Sequence, residues 1–436
     1  MPWTNYRLGK KTARGCKTRP NRNWETEMYM RTLALAGTLA VLSGTTAYAG
    51  CGLSAGNVNI LGNEFGAIQA VVAGAKECAG DGVTVEANLN KDHRDLQVAA
   101  LTANPAQYTS AIVANSSIVP LMNDGLIRPL DDLVAKHGGA LQKHQLITID
   151  GKVMAVAFMA NAQHLFYRKD ILDAAGVDAP SSYADVVAAA AAIKAAGLMD
   201  SPVALNTKTG WNLGEEFVNM YMGTGAAFFK AGTAEVDINN ENGVAALNMI
   251  KALTEHSNPD FLTFDSNATM ALWEGGQLAL ATMWGSRGSG ILDAEGSSSD
   301  VVGSTVLAGA PTLNGGNVAS TLWWDGFTIA TNISDEDAEA TFVALMNGVS
   351  DDIVMANNDE AVWLSAAYKA GAASAGVAAT ASAGARPYPM LPFMGLLHGA
   401  LGAELSDFLQ GSESAEQALS DVEAAYTTAA KEKGFL

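Results

Sequence analysis

The chain has 436 residues, 49% of them hydrophobic and 16% charged, and its 45 Asp/Glu outweigh 26 Lys/Arg to give a net charge of −19. Such acidity argues against nucleic acid or an anionic membrane as a partner, because both would repel it. The length suits two compact units, each with a sizeable apolar core.

The first segment reads as an address. Arg31 precedes the short apolar run Leu33 to Leu42, and Ala47-Tyr-Ala49 places small residues at a cleavage site, which together form the pattern of a secretory signal peptide. The run is too short to span a bilayer comfortably, and no later stretch approaches about 18 residues without polar interruption. The basic residues ahead of it read as an extension before the true start, at Met28 or Met30, in preference to an unusually long leader. Residues 1–49 hold eight Lys/Arg against Glu25 and Glu27, so the 387 residues after them carry −25 and are expected in the periplasm as a soluble monomer. Removal of Cys16 leaves Cys51 and Cys78, and an even pair in an exported chain suggests a disulfide. Closing that span contributes roughly 3 kcal/mol in the chain-entropy account. The rival reading makes Cys51 a lipid anchor, since Ala49-Gly50-Cys51 is lipobox-like, although Tyr48 stands where Leu is usual.

From Asn57 strands and helices alternate: strand 58–61, helix 65–78, strand 83–87, helix 92–103, strand 108–113. This spacing makes a parallel sheet flanked by helices, whose ligands bind at the carboxyl edge of the strands. Asn63 and Glu64, Asn88 to Lys91, and Asn115 and Ser116 follow the three strands and are expected to face one cleft. Beyond a helix at 129–137, the turn signal Asp150-Gly151 opens a long apolar strand that carries polar groups in its second half, Asn161, Gln163 and His164, before a helix from Asp170 to Gly176. Pro180-Ser-Ser182-Tyr-Ala-Asp185 caps an Ala-rich helix ending at Gly197. A strand at 202–205, a loop at 206–211, helices at 213–222 and 241–257, a helix at 267–274 and a strand at 278–283 follow. Further on come a strand at 305–311, the run Ser320 to Ala330 containing Trp323-Trp324-Asp325, and capped helices from Ser334 and Ser414.

The stretch from Gly151 through Tyr167-Arg-Lys-Asp170 to Gly176, Pro180 and Ser182 resembles the first interlobe crossover of the extracellular solute-binding proteins of ATP-binding-cassette importers, in particular the maltose-binding-like group. Residues 267–287 and 320–330 fit the same ordered pattern, which covers nearly all of 52–436. The resemblance implies an α/β, two-lobe periplasmic-binding-protein fold of type II, with interlobe crossovers and a ligand cleft. It places the first lobe at 52–157 plus 265–318 and the second at 158–264 plus 319–436. It also implies permease subunits as partners, no cofactor, and Glu64, Asn161 and Trp284 as sugar contacts. Asn161 departs from the pattern, since maltose binders carry an acid there.

The residues themselves support a sugar site. Trp211, Trp284, Trp323 and Trp324 lie in loops or crossovers beside Thr209, Asn212, Ser286, Arg287 and Asp325. Pyranose rings present apolar C–H faces and equatorial hydroxyls, so they need flat aromatic platforms edged by carboxylate, amide and guanidinium groups. The expected ligand set is therefore Glu64, Asn115, Asn161, Trp211, Trp284, Arg287, Trp324 and Asp325. Trp273 and Trp363 read as helical core residues, and His164 as either a satisfied buried histidine or a cleft group. Serine-hydrolase, metalloprotease, Walker and dinucleotide motifs are absent, and the six histidines show no metal-ligand spacing. The expectation is a binding protein for a neutral carbohydrate that closes by hinge motion. Its rivals are the same fold with a polyol, polyamine or ferric ion, and a secreted glycosidase built on a carboxylate pair.

Overall fold

The computed structural model describes residues 50–436 except position 314, so the signal-peptide reading of 1–49 lies outside the described residues. Alternation begins at once with β1 (Gly56–Gly62), α1 (Gly66–Lys76), β2 (Val83–Leu89), α2 (His93–Thr102), β3 (Ser110–Ala114) and α3 (Asn115–Asn123). β1 pairs in parallel with both β2 and β3. Val58 and Ile60 of β1 meet Ile68 and Val71 of α1 in one core, as expected when a helix returns over the face of a parallel sheet. Cys51 is bonded to Cys78, with their Cα atoms 5.2 Å apart, which ties the first described residues to the end of α1.

α4 (Asp131–His137) and β4 (Leu146–Ile149) lead into β5 (Lys152–Arg168), a strand of 17 residues. β4 and β5 form a hairpin whose two turn residues, Asp150 and Gly151, take φ of 52° and 77°. Positive φ at both positions matches the twist of the flanking strands. The chain continues through α5 (Lys169–Ala175), α6 (Tyr183–Ala195), β6 (Val203–Ala204), α7 (Trp211–Met222), α8 (Glu241–Thr254), α9 (Ser266–Glu274), β7 (Leu280–Trp284), β8 (Thr305–Ala308) and β9 (Thr321–Phe327).

β5 is the crossover that the sequence indicated. Val156 to Ala162 pairs antiparallel with β9, whereas Gln163 to Tyr167 pairs with β7. The strand order β2-β1-β3-β9-β5-β7-β6 therefore runs from one half of the molecule to the other through β9 and β5. Gly326 permits their close approach: a Cβ there would lie 2.6 Å from the carbonyl oxygen of Val156, beside the irregularity at Ala157/Met159.

The cores show which segments belong together. Val58, Ile68, Phe158, Phe327, Phe342 and Trp363 share one; Leu165, Phe217, Tyr221, Leu247, Leu397 and Tyr426 share another; and Phe166, Trp273, Met283 and Leu307 extend the second half. This corrects the expectation that 265–318 returns to the first lobe. β6, α9 and β7 lie in the second half, where β7 pairs in parallel with β6 and antiparallel with β5. Conversely, the helix Asp335–Gly348 packs on α1 and β1, so 334–363 belongs with the first half. Trp363 is core as expected but sits on the short strand Val362–Trp363 against β5, not on a helix.

Candidate functional site

A cleft of about 720 Å³ opens at the carboxyl ends of β1 and β2, and Asn63, Glu64, Asn90, Lys91 and Arg94 line it from that side. Asn161 of β5, Trp211 and Asn212 at the start of α7, Trp284 at the end of β7, and Ser286 and Arg287 beyond it line the opposite side. Trp323 and Asp325 of β9 form part of the floor between them. Glu64, Asn161, Trp211, Trp284, Arg287 and Asp325, six of the eight expected ligand residues, thus meet in one cavity.

Asn115 and Trp324 do not. Asn115 is buried, its Oδ1 accepting from the Trp324 backbone N–H at 2.9 Å and its Nδ2 donating to the Leu322 carbonyl at 3.3 Å, so it clamps β9 to α3. Trp324 packs against the core of Leu101, Val113 and Ile118. Alternation explains the correction: successive side chains on a strand point to opposite faces, so Trp323 and Asp325 share the cleft face and Trp324 takes the other. Asn88 also turns away, donating to the Tyr108 hydroxyl at 2.8 Å. His164 is wholly buried, stacked on Phe166 at 4.4 Å and lowered to about 4 by burial, which makes it a core histidine.

The indoles form a box. Trp211 lies 6.2 Å from Trp284 and 5.6 Å from Trp323, and Trp284 meets Trp323 edge to face at 5.6 Å. His398 stacks on Trp211 at 4.8 Å, its Nε2–H donating to the Trp211 carbonyl at 2.8 Å while its Nδ1 accepts from the Tyr388 hydroxyl at 2.9 Å. Burial lowers this imidazole to about 4 and keeps it in that neutral tautomer. Trp323 Nε1–H donates to Glu215 Oε1 at 3.0 Å, and the Thr321 hydroxyl donates to the same oxygen at 2.8 Å. Glu215 is wholly buried on α7, and burial pushes it up to about 8 despite those donors. Burial likewise pushes Asp325 up to about 7, opposed by the Arg94 charge.

The polar edge is held from below. Asn161 Oδ1 accepts from the Ser286 and Ala162 backbone N–H groups, and its Nδ2 donates to the Ser286 hydroxyl at 3.1 Å, which joins the crossover to the turn carrying Arg287. Asp265 caps α9 through the Asn267 and Ala268 N–H groups and faces Lys208 at 3.3 Å. Burial lowers the Arg287 guanidinium, opposed by the charges of Asp265 and Glu64, and its Nε is buried without a partner. Arg94, Glu215 and the cleft role of Trp323 were not among the expected site residues. Arg94 sits in the first turn of a polar-faced helix, where an arginine reads as solvent-exposed, whereas strand alternation alone would have selected Trp323 once Asp325 was chosen. Among the described residues no group of three or more His, Cys, Asp or Glu could hold a metal ion.

Two α/β halves, joined by two crossover strands with a polar-aromatic cleft between them, define the class of two-lobe solute-binding proteins. Residues 61–384 match the family of bacterial extracellular solute-binding proteins, and the chain belongs to it. Members are the non-catalytic solute-binding components of ATP-binding-cassette importers. Among solved structures, the chain is similar to maltose-bound MalE3 of T. maritima, at 18% identity with a TM-score of 0.75 over 86% of this chain and 100% of that one. It is also similar to solute-binding proteins of Agrobacterium radiobacter K84 in complex with ribitol (19% identity, TM-score 0.74, 86% and 99% covered) and of Agrobacterium vitis S4 with bound D-mannitol (20%, 0.72, 87% and 100%). A sequence search of curated proteins finds no match.

Proposed function

We propose that this chain is the periplasmic component of an importer for a neutral carbohydrate or a related polyol, exported by its leader segment, closing on the solute and delivering it to the permease. The observation that carries this reading is the grouping of Trp211, Trp284 and Trp323 with guanidinium, carboxyl and amide groups at one cleft of about 720 Å³. That volume admits a small sugar, and the chemistry is what a polyhydroxylated ring needs. Trp284 is the stacking platform, while Glu64, Asn161, Arg287 and Asp325 take the hydroxyls. We take the first lobe as about 52–160 plus 324–371 and the second as about 161–323 plus 372–436, a division supported by which segments share a core. Similar structures carrying maltose, ribitol and D-mannitol support a sugar or polyol over a polyamine or ferric ion.

A thermal-shift panel of neutral sugars and alditols on the protein after residue 49 tests the reading. At least one should raise the melting temperature and be recovered intact by chromatography. A sugar that is turned over would favour the glycosidase, and a panel without effect would sink the carbohydrate assignment.

A further inference from the structure

Trp211 has the composition of a second stacking platform, yet its ring is engaged from two sides. His398, buried in the second half, backs it at 4.8 Å. From the cleft, the Arg94 guanidinium lies with its Cζ 4.0 Å from the ring centroid. Arg94 belongs to α2, which is anchored in the first half by Leu101 in the core and by Gln97 donating to the Ile112 carbonyl at 3.0 Å. The stack therefore spans the cleft.

A guanidinium laid on an indole gains from the ring's negative face while its N–H groups point outward in its own plane. Among the described residues those groups have no hydrogen-bond acceptor. Arg94 forms no ion pair among the described residues, and its Nε is buried without a partner. Glu215 and Asp325 are the first charges to act on it, but Glu215 Oε1 already accepts from Trp323 and Thr321. Burial pushes both carboxyls up towards or past neutrality, so at pH 7 they cancel only part of the Arg94 charge. The open volume of the cleft adjoins this unused fork.

We propose that Arg94 is a specificity-determining residue of this cleft: its Trp211-backed guanidinium binds a pair of oxygen acceptors on the solute, supplied by vicinal hydroxyls or by the carboxylate of a sugar acid. The inference rests on the sugar-binding reading and names the group that selects within it. A planar fork matches paired oxygens as a point charge does not. Because Arg94 comes from the first half and Trp211 from the second, the fork is backed only when the two are together, so recognition by Arg94 is also recognition of the closed cleft.

The test is calorimetric titration of wild type, Arg94→Gln and Arg94→Lys with the best neutral sugar from the thermal-shift panel and with its uronic acid, while circular dichroism and melting temperature monitor the fold. Arg94→Gln should weaken binding about 10- to 100-fold, the loss expected for a pair of charge-assisted hydrogen bonds, and Arg94→Lys should recover only part of it. A larger loss for the uronic acid assigns the acceptor as a carboxylate, and equal losses assign it as a vicinal diol. Unchanged or tighter binding by a folded Arg94→Gln protein overturns the proposal, leaving Arg94 as a cover over Trp211, and full recovery by Lys overturns the fork geometry. A wild type that binds neither probe overturns both this inference and the carbohydrate reading, whereas wild-type binding insensitive to position 94 overturns this inference alone.

Discussion

Trp284 stands at the end of β7 with its ring nearly perpendicular to Trp323, in reach of the cleft rather than sealed in the core. Replacing it with Ala should weaken sugar binding by about 1–3 kcal/mol, the usual cost of losing an aromatic anchor, and leave the far-UV circular dichroism unchanged. Wild-type affinity in Trp284→Ala would refute the stacking role. Titratable groups beneath the cleft give a second prediction. Burial raises Glu215 to about 8, and Glu216 and Asp325 to about 7. The folded state therefore binds more protons than the unfolded one from the ordinary carboxylate range upward, and the stability these groups contribute is lost as pH rises through about 7 to 8. His93, His164 and His398, each lowered to about 4 by burial, act in the opposite direction between about 4 and 6.5. Above pH 6.5 the carboxyls act alone, so the melting temperature should fall between pH 6.5 and 8.5, and Glu215→Gln should flatten part of that slope. A melting temperature that climbs across the window contradicts the assignment.

At the scale of elements, Asn115 turns a predicted ligand into a structural clamp. Asn115→Ala leaves the Trp324 N–H and Leu322 carbonyl short of a partner, and should destabilise the fold by about 1–3 kcal/mol in denaturant titration. A direct sugar contact would instead lose affinity at unchanged stability. Reduction of the Cys51–Cys78 bond, which closes a 27-residue span, should likewise cost about 3 kcal/mol, and an unchanged unfolding midpoint would count against that contribution. The strand-helix alternation, the turn at Asp150-Gly151 and the crossover at β5 were legible because local composition sets them. Glu64 was legible because loops after parallel strands converge on one edge, and Trp284 and Arg287 because an aromatic ring and a guanidinium share one turn in a stretch that resembles the family pattern. Which sheet β7 joins was not, because an apolar strand such as Leu-Ala-Thr-Met-Trp fits either core equally well. Trp324 was misplaced because adjacent tryptophans are chemically alike and only strand phase separates them. Arg94 was missed because its meeting with Trp211 joins residues 117 positions apart, which no local pattern encodes.

Across the whole molecule, closure on a solute requires that it be gripped from both sides. Glu64 and Arg94 approach from the first half, Trp211, Trp284 and Arg287 from the second, and β5 and β9 connect the two. A ligand that satisfies both sets favours the closed arrangement by its differential affinity, and such a shape is what a permease could distinguish from the empty protein. Small-angle scattering on the protein, with and without the sugar that stabilises it, tests this most directly. A smaller radius of gyration on saturation, with a matching change in tryptophan fluorescence, is the predicted result; a tightly bound sugar that leaves the scattering curve unchanged would contradict closure between two lobes.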